Sequence, residues 1–303
     1  MPPKILSDDQ LKKHDIDTLK RFIRHKLGGY KVAIKDTTTD RPLYRGVLCA
    51  EPPATIDRVS YPPTAAVTKL GRVNRVGKSV FYCSVAAPAV FYELRAKQGD
   101  IIALSEWEQT EPLWMHNLGY HEAVLRKMGV RNFGIRSQLT NAIPNETKEN
   151  AKLKFQLSRA FTEDIVDGQE YRYKQSIAIN ELLFDGASPL PTYADGSKYD
   201  RAAGTVYPAM RMHGAAGKLA IWPEFVDSSL RIKTVRHVLV EAADEASASY
   251  TFLNVGMSDA FSGREIVWQE AHLTEVQRRS HVAYEDGVWV MRDGLGRVYH
   301  RQD

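Results

Sequence analysis

The chain has 303 residues, of which 43% are hydrophobic and 26% charged, a balance that excludes a disordered or fibrous protein and provides for a core without covalent staples. Forty-one Lys and Arg against 37 Asp and Glu leave a formal charge of +4, and the two signs are interspersed, which argues against direct nucleic-acid binding. Uncharged apolar runs such as 86–92 are far too short for a membrane span.

In chain order, Ser7-Asp8-Asp9-Gln10 has the form of a capping box. Leu11, Ile16, Leu19, Phe22, Ile23 and Leu27 follow at roughly helical spacing, and Gly28-Gly29 supplies a stop, so one N-terminal helix is expected. The basic cluster at 20–26 reads as the solvated face of that helix. Short strands are expected at 32–34, 43–48, 79–84 and 101–104, with a proline-containing stretch at 51–63. Residues 88–96 read as a helix with a proline near its start, and 155–166 and 175–184 have helical periodicity. The Gly-, Pro-, Ser- and Tyr-rich residues 185–203 read as a long loop, either an insertion or a lid. Strands at 205–207 and 219–222, a β pair at 231–242 with 249–255, and a closing hairpin around Asp293-Gly294 complete the chain.

Two motifs invite over-reading. Gly71 to Gly77-Lys78-Ser79 imitates a phosphate-binding loop, but five residues rather than four separate the glycines, and a β-like run follows where that loop enters a helix. His116 and His121 lie five apart and do not make the zinc pattern, so structural roles are expected, as is a core location for Trp107 and Trp114. Cys49 and Cys83 require no disulfide and cannot by themselves make a four-ligand metal site. A reducing, cytoplasmic setting without metal is the expectation, and the charged amino terminus does not read as a signal peptide.

A better constellation starts in the same place. Arg72 lies ten residues before Tyr82, and Tyr82 eleven before Glu93. A forked cation suits a diphosphate, an aromatic face suits nicotinamide, and a carboxylate can stabilise an oxocarbenium-like ribose or hold its hydroxyls. The same residues also suit a salt bridge, a half-buried strand position and a solvated helix face.

Leu43-Tyr44-Arg45, Gly71-Arg72-Val73-Asn74, Val80-Phe81-Tyr82-Cys83-Ser84, Glu93, Tyr173-Lys174-Gln175-Ser176-Ile177-Ala178 and Val206-Tyr207-Pro208 occur in an order that resembles the RES-domain family, over roughly residues 41–240. That family is named for its Arg, Glu and Ser residues and includes toxins of bacterial toxin–antitoxin pairs. The resemblance implies an α+β fold, an ADP-ribosyltransferase-like split β-sheet core with flanking helices, and NAD as substrate. It implies Arg72, Tyr82 and Glu93 at the catalytic centre. Arg45, which follows Tyr44 on the first strand, and Tyr207 are expected against the dinucleotide, and His213, four residues past Ala209, reads as lining the same pocket or as a satisfied structural histidine. Arg211 reads equally as a second phosphate contact or an exposed strand residue. The family's serine follows a Tyr-Pro pair, where this chain has Ala209. The loss reads first as a change that disables a toxic enzyme, and otherwise as the mark of a subfamily using Ser84 or His213 or of an inactive relative. An asparagine expected some residues later is also missing, with Gly217-Lys218 near its place.

The implied organisation is an N-terminal helix over 1–30, a catalytic domain over 31–240 with an insertion near 185–203, and C-terminal strands and a hairpin over 241–303 packed on the same domain. The implied reaction cleaves the nicotinamide–ribose bond, with water, phosphate or a protein as acceptor. A neutralising antitoxin is the implied partner, a homo-oligomer is left open, and neither membrane nor nucleic acid is implied. The alternative is a catalytically inactive nucleotide- or partner-binding module of the same fold.

Overall fold

The computed structural model describes residues 5–27, 33–36, 41–127, 147–184, 202–212, 216–244, 247–269, 274–286 and 288–302. It is an α+β structure. The strands are β1 (Ala33–Asp36), β2 (Leu43–Leu48), β3 (Phe81–Ser84), β4 (Ile101–Gln109), β5 (Trp114–Asn117), β6 (Gly204–Pro208), β7 (Gly217–Ile221), β8 (Leu230–Asp244), β9 (Ser249–Ser262), β10 (Glu265–Gln269), β11 (Arg279–Glu285), β12 (Val288–Asp293) and β13 (Val298–Gln302). The helices are α1 (Asp8–Lys13), α2 (Ile16–Leu27), α3 (Ala87–Leu94), α4 (Glu122–Lys127), α5 (Lys148–Thr162), α6 (Tyr173–Leu182), α7 (Pro223–Ser229) and α8 (Glu275–Arg278).

The N-terminal capping box is present in both directions, Ser7 Oγ accepting from Gln10 N and Gln10 Oε1 from Ser7 N. The single helix expected from the spacing is two, because His14 is extended and Asp15 Oδ1 accepts from Thr18 N, which starts α2 afresh. Phe22, expected on the apolar face, is 40% exposed and packs edge-on against His14. Within the basic cluster Lys20 pairs with Glu181 on α6. Glu181 also receives Arg75, whose other contact is Asp17 on α2, so the loop before β3 is bolted to two helices. Gly28-Gly29 lies outside the described residues.

All the strands join one 13-stranded sheet in the order β1-β5-β6-β7-β3-β2-β4-β8-β9-β11-β12-β13, with β10 added on β9. Every described pairing is antiparallel except β5 with β6. The sheet narrows at one point. Strands β2 and β3 meet through the pair Tyr44 and Ser84, whereas β2 and β4 pair along the whole of Leu43–Leu48. The sheet therefore consists of a five-strand run, β1-β5-β6-β7-β3, and a longer run from β2 onward, joined at that pair. Strand β8 spans residue 240 and pairs with β9 on both sides of it, with a register shift between Val240 and Ala242.

Three apolar clusters hold this together. On one face of the five-strand run, α1, α2, α5 and α6 bury Leu19, Ile23, Phe161 and Ile177 against Tyr207 and Ala220. The opposite face packs Phe81, Cys83, Leu219 and Ile221 on Val59, Trp107 and Val226. The third cluster seats α3 between the two runs, with Phe91 stacked on Phe252 at 3.8 Å between ring centres. Helix α3 approaches β2 so closely that a Cβ on Gly46 would lie 2.1 Å from Val90 Cγ1. Gly46→Ala is expected to lower the unfolding free energy by about 2 kcal/mol through overpacking. A urea midpoint unchanged from that of the parent chain would refute this close fit.

Among the described residues no helix is long and apolar enough to cross a membrane. The loop expected at 185–203 lies outside the described residues except for Ala202 and Ala203, which are buried.

Candidate active site

Strand period and register decide which of the expected residues meet. Residues opposite one another share a sheet face. Tyr82 lies opposite Ala220, which lies opposite Thr205; in the next row Ser84 lies opposite Lys218, which lies opposite Tyr207. Tyr82, Lys218 and Tyr207 therefore share the face covered by α5 and α6. Helix α3 follows β3 directly, and its last turn sends Glu93 back to β7, where Glu93 Oε2 accepts from Lys218 Nζ at 2.6 Å. The same ammonium lies 5.6 Å from the centre of the Tyr207 ring.

Arg72 reaches this group from the loop before β3. Its Nη1 and Nη2 donate to the carbonyls of Ala160 and Glu163 at 3.3 and 2.9 Å, and the guanidinium lies 5.3 Å from the Tyr173 ring centre. These carbonyls end α5, where a cation complements the helix dipole. The loop is held from both sides: Ser176 Oγ donates to Arg72 O at 2.6 Å, and the Tyr82 hydroxyl accepts from Val73 N at 3.1 Å and donates to Asn74 Oδ1 at 2.7 Å.

Burial pushes the Tyr82 phenol well above the ordinary tyrosine range, with the neighbouring Tyr207 adding to it. The Tyr207 phenol is pushed up by burial too, opposed by Arg72 and reinforced by Glu93 and Tyr173. Both hydroxyls stay protonated at neutral pH and serve as hydrogen-bonding groups rather than bases. Arg72, Tyr82, Glu93 and Tyr207, separated by up to 135 positions along the chain, are thus neighbours.

The other expected site residues lie elsewhere. Arg45 follows Tyr44 on β2 and so faces the opposite side of the sheet, a consequence of the two-residue strand period. There its Nε and Nη1 donate to the carbonyls of Ser60 and Tyr82 at 2.9 Å each, and its guanidinium packs 5.5 Å from the Phe81 ring centre. Burial pushes its pKa down to about 10, which leaves it charged at neutral pH. Arg45 does not meet Arg72; it ties β2 to β3 from beneath. Ala209 is fully buried among Ala89, Phe91, Met212 and Trp289 in the cluster under α3. Ser84, one stand-in for the missing serine, has its hydroxyl engaged with Gly217 O and Ala86 N. His213, the other stand-in, lies outside the described residues. Arg211 sits on a short 3-10 turn, 3.8 Å from Asp164.

The imitation phosphate loop leads into β3 rather than a helix, and Ser79 Oγ donates to Pro62 O. His116 and Trp107 are buried, while Trp114 is half-buried. Among the described residues no group of three or more His, Cys, Asp or Glu side chains is placed to hold a metal.

Sequence reasoning assigns no role to Lys218, Asn74, Tyr173 or Ser176. The last two stand inside the Tyr173-to-Ala178 motif, and Lys218 stands near the place of the missing asparagine. Chemically the cluster offers a carboxylate, two cations and aromatic faces around two protonated phenols, which suits a ligand with anionic, hydroxylated and aromatic parts.

No family model, no curated protein and no solved structure matches the chain.

Proposed function

We propose that the chain is an NAD-consuming, toxin-like enzyme that breaks the bond between nicotinamide and ribose. The observation that carries this reading is the meeting of Arg72, Tyr82, Glu93 and Tyr207 on one sheet face from four separate segments. The narrowing of the sheet to the Tyr44 and Ser84 pair, between two longer-paired runs, supports an ADP-ribosyltransferase-like split sheet as the finer fold.

In this reading the nicotinamide ring lies against Tyr82, and Glu93 faces the ribose. The C1′–N bond breaks with its electron pair passing to the ring nitrogen, which leaves nicotinamide neutral. Positive charge on the ribose is stabilised by the Glu93 carboxylate until an acceptor forms the new C1′ bond. Water, phosphate or a protein side chain can take that place, and with water the displaced proton passes to solvent. Depletion of NAD would arrest growth, so a cytoplasmic location and a neutralising antitoxin belong to the same proposal.

A second reading, a nucleotide- or partner-binding module without catalysis, is favoured by Ala209 and by the ammonium resting on Glu93. The deciding experiment incubates the chain and its Ala209→Ser form with NAD and follows free nicotinamide, with Glu93→Ala as control. Release by either form at least tenfold above the control is expected. Release no greater than the control from both forms overturns the enzymatic reading, and NAD binding without release supports the module.

A further inference from the structure

Resting on the NAD reading of this site, we propose that Lys218 sets its specificity: the ammonium occupies Glu93 in the free protein, and a substrate phosphate draws it away. Lys218 Nζ lies 2.6 Å from Glu93 Oε2, and the two side chains are only 18% and 26% exposed. A carboxylate neutralised at that distance is poorly able to stabilise a cationic ribose, and the ammonium itself opposes positive charge there. The pair is an obstacle to the proposed chemistry unless the substrate separates it.

The arginines expected on phosphate are engaged or turned away, and Arg211 lies 3.8 Å from Asp164. Arg45 lies on the opposite sheet face, and Arg72 is tied by both Nη atoms to the end of α5. Lys218 is different in kind. It carries a compact charge on a flexible four-carbon stem, and strand register places it between Glu93 and the Tyr207 ring. A phosphate arriving beside Tyr207 offers the ammonium a new partner and frees Glu93 in the same movement. Phosphate-bearing nicotinamide compounds unlock the carboxylate; nicotinamide riboside, which has no phosphate, does not. Lys218 is a positioning and specificity residue in this account and transfers no proton.

The test compares nicotinamide release from NAD and from nicotinamide riboside by the NAD-cleaving form of the chain and by its Lys218→Gln and Lys218→Arg variants. The parent is expected to prefer NAD by about 100-fold or more in kcat/KM. Lys218→Gln should narrow that preference at least tenfold, raising KM for NAD while raising kcat on nicotinamide riboside, and Lys218→Arg should restore most of it. An undiminished preference in Lys218→Gln overturns the proposal. A second measurement needs no variant: millimolar inorganic pyrophosphate, supplying the missing anion, should accelerate nicotinamide riboside cleavage several-fold, and inhibition alone overturns the proposal. Absence of both NAD cleavage and NAD binding in every form rejects the underlying function together with this inference. Cleavage of NAD with an unaltered substrate preference rejects the inference alone.

Discussion

Tyr82→Phe is expected to destabilise the protein by about 3 kcal/mol, although it removes a single oxygen and keeps the aromatic ring. The hydroxyl is shared by two groups of the preceding loop, accepting from Val73 N and donating to Asn74 Oδ1. Val73 is 2% exposed and Asn74 is 6% exposed, so water does not readily replace the lost partner. The cost is therefore the desolvation of two orphaned groups rather than the modest net worth of a solvent-exchanged bond. The consequence for the site is as large as that for the fold. The same loop carries Arg72 immediately before these two residues, and around Arg72 it keeps the bonds from Ser176 Oγ to Arg72 O, from Gly71 N to Asn74 O and from the Arg72 guanidinium to the end of α5, with the Arg75 ion pairs further on. Equilibrium urea unfolding reads the first effect, and nicotinamide release the second. A midpoint equal to the parent's would show that Tyr82 serves only as a ring, whereas loss of both stability and activity shows that it also builds the loop.

The parts of the molecule legible in the sequence were those decided locally. Ser7 and Gln10 cap each other whatever surrounds them, and Leu43–Leu48 was expected with the bounds it has. The closing turn is made by Asp293, whose Oδ1 accepts from Leu295 N and Arg297 N. What stayed hidden depends on partners far away. Trp114–Asn117 shows no clean alternation, because β5 lies between β1 and β6 inside the sheet. Helix α5 starts at Lys148, ahead of the expected periodic stretch, since its first turns are polar and Thr147 caps Asn150 N. The same distinction runs through the site. Tyr44 and Arg45 are adjacent in sequence, yet strand geometry sends them to opposite faces, and family order alone gives no facing. Lys218 had no meaning until the β6 and β7 register set it opposite Tyr207 and within reach of Glu93.

The acid side of the stability profile should carry the signature of one histidine. His116 lies on β5 between Ile34 and Thr205, is 1% exposed, and packs 5.0 Å from the Phe184 ring centre. Neither ring nitrogen has a hydrogen-bond partner among the described residues. Burial lowers its pKa from 6.5 to about 4, with no anion among the described residues offsetting the cost of charging it. As pH falls below 6.5 the unfolded chain takes up this proton before the folded one, so folding loses stability down to the folded value. The full shift corresponds to about 3 kcal/mol, present above pH 6.5 and lost by about pH 4. His116→Leu removes the titration and the two unpartnered nitrogens together, and should leave stability near neutral pH unchanged or slightly raised. Urea unfolding of both proteins between pH 7 and pH 4.5 isolates the effect, since His281, also lowered by burial, and the carboxylates are common to the two. A smaller acid-side slope in His116→Leu is the expected result. Parallel stability curves would mean that the folded protein accommodates the imidazolium, which the apolar contact with Phe184 and the lack of any acceptor among the described residues argue against.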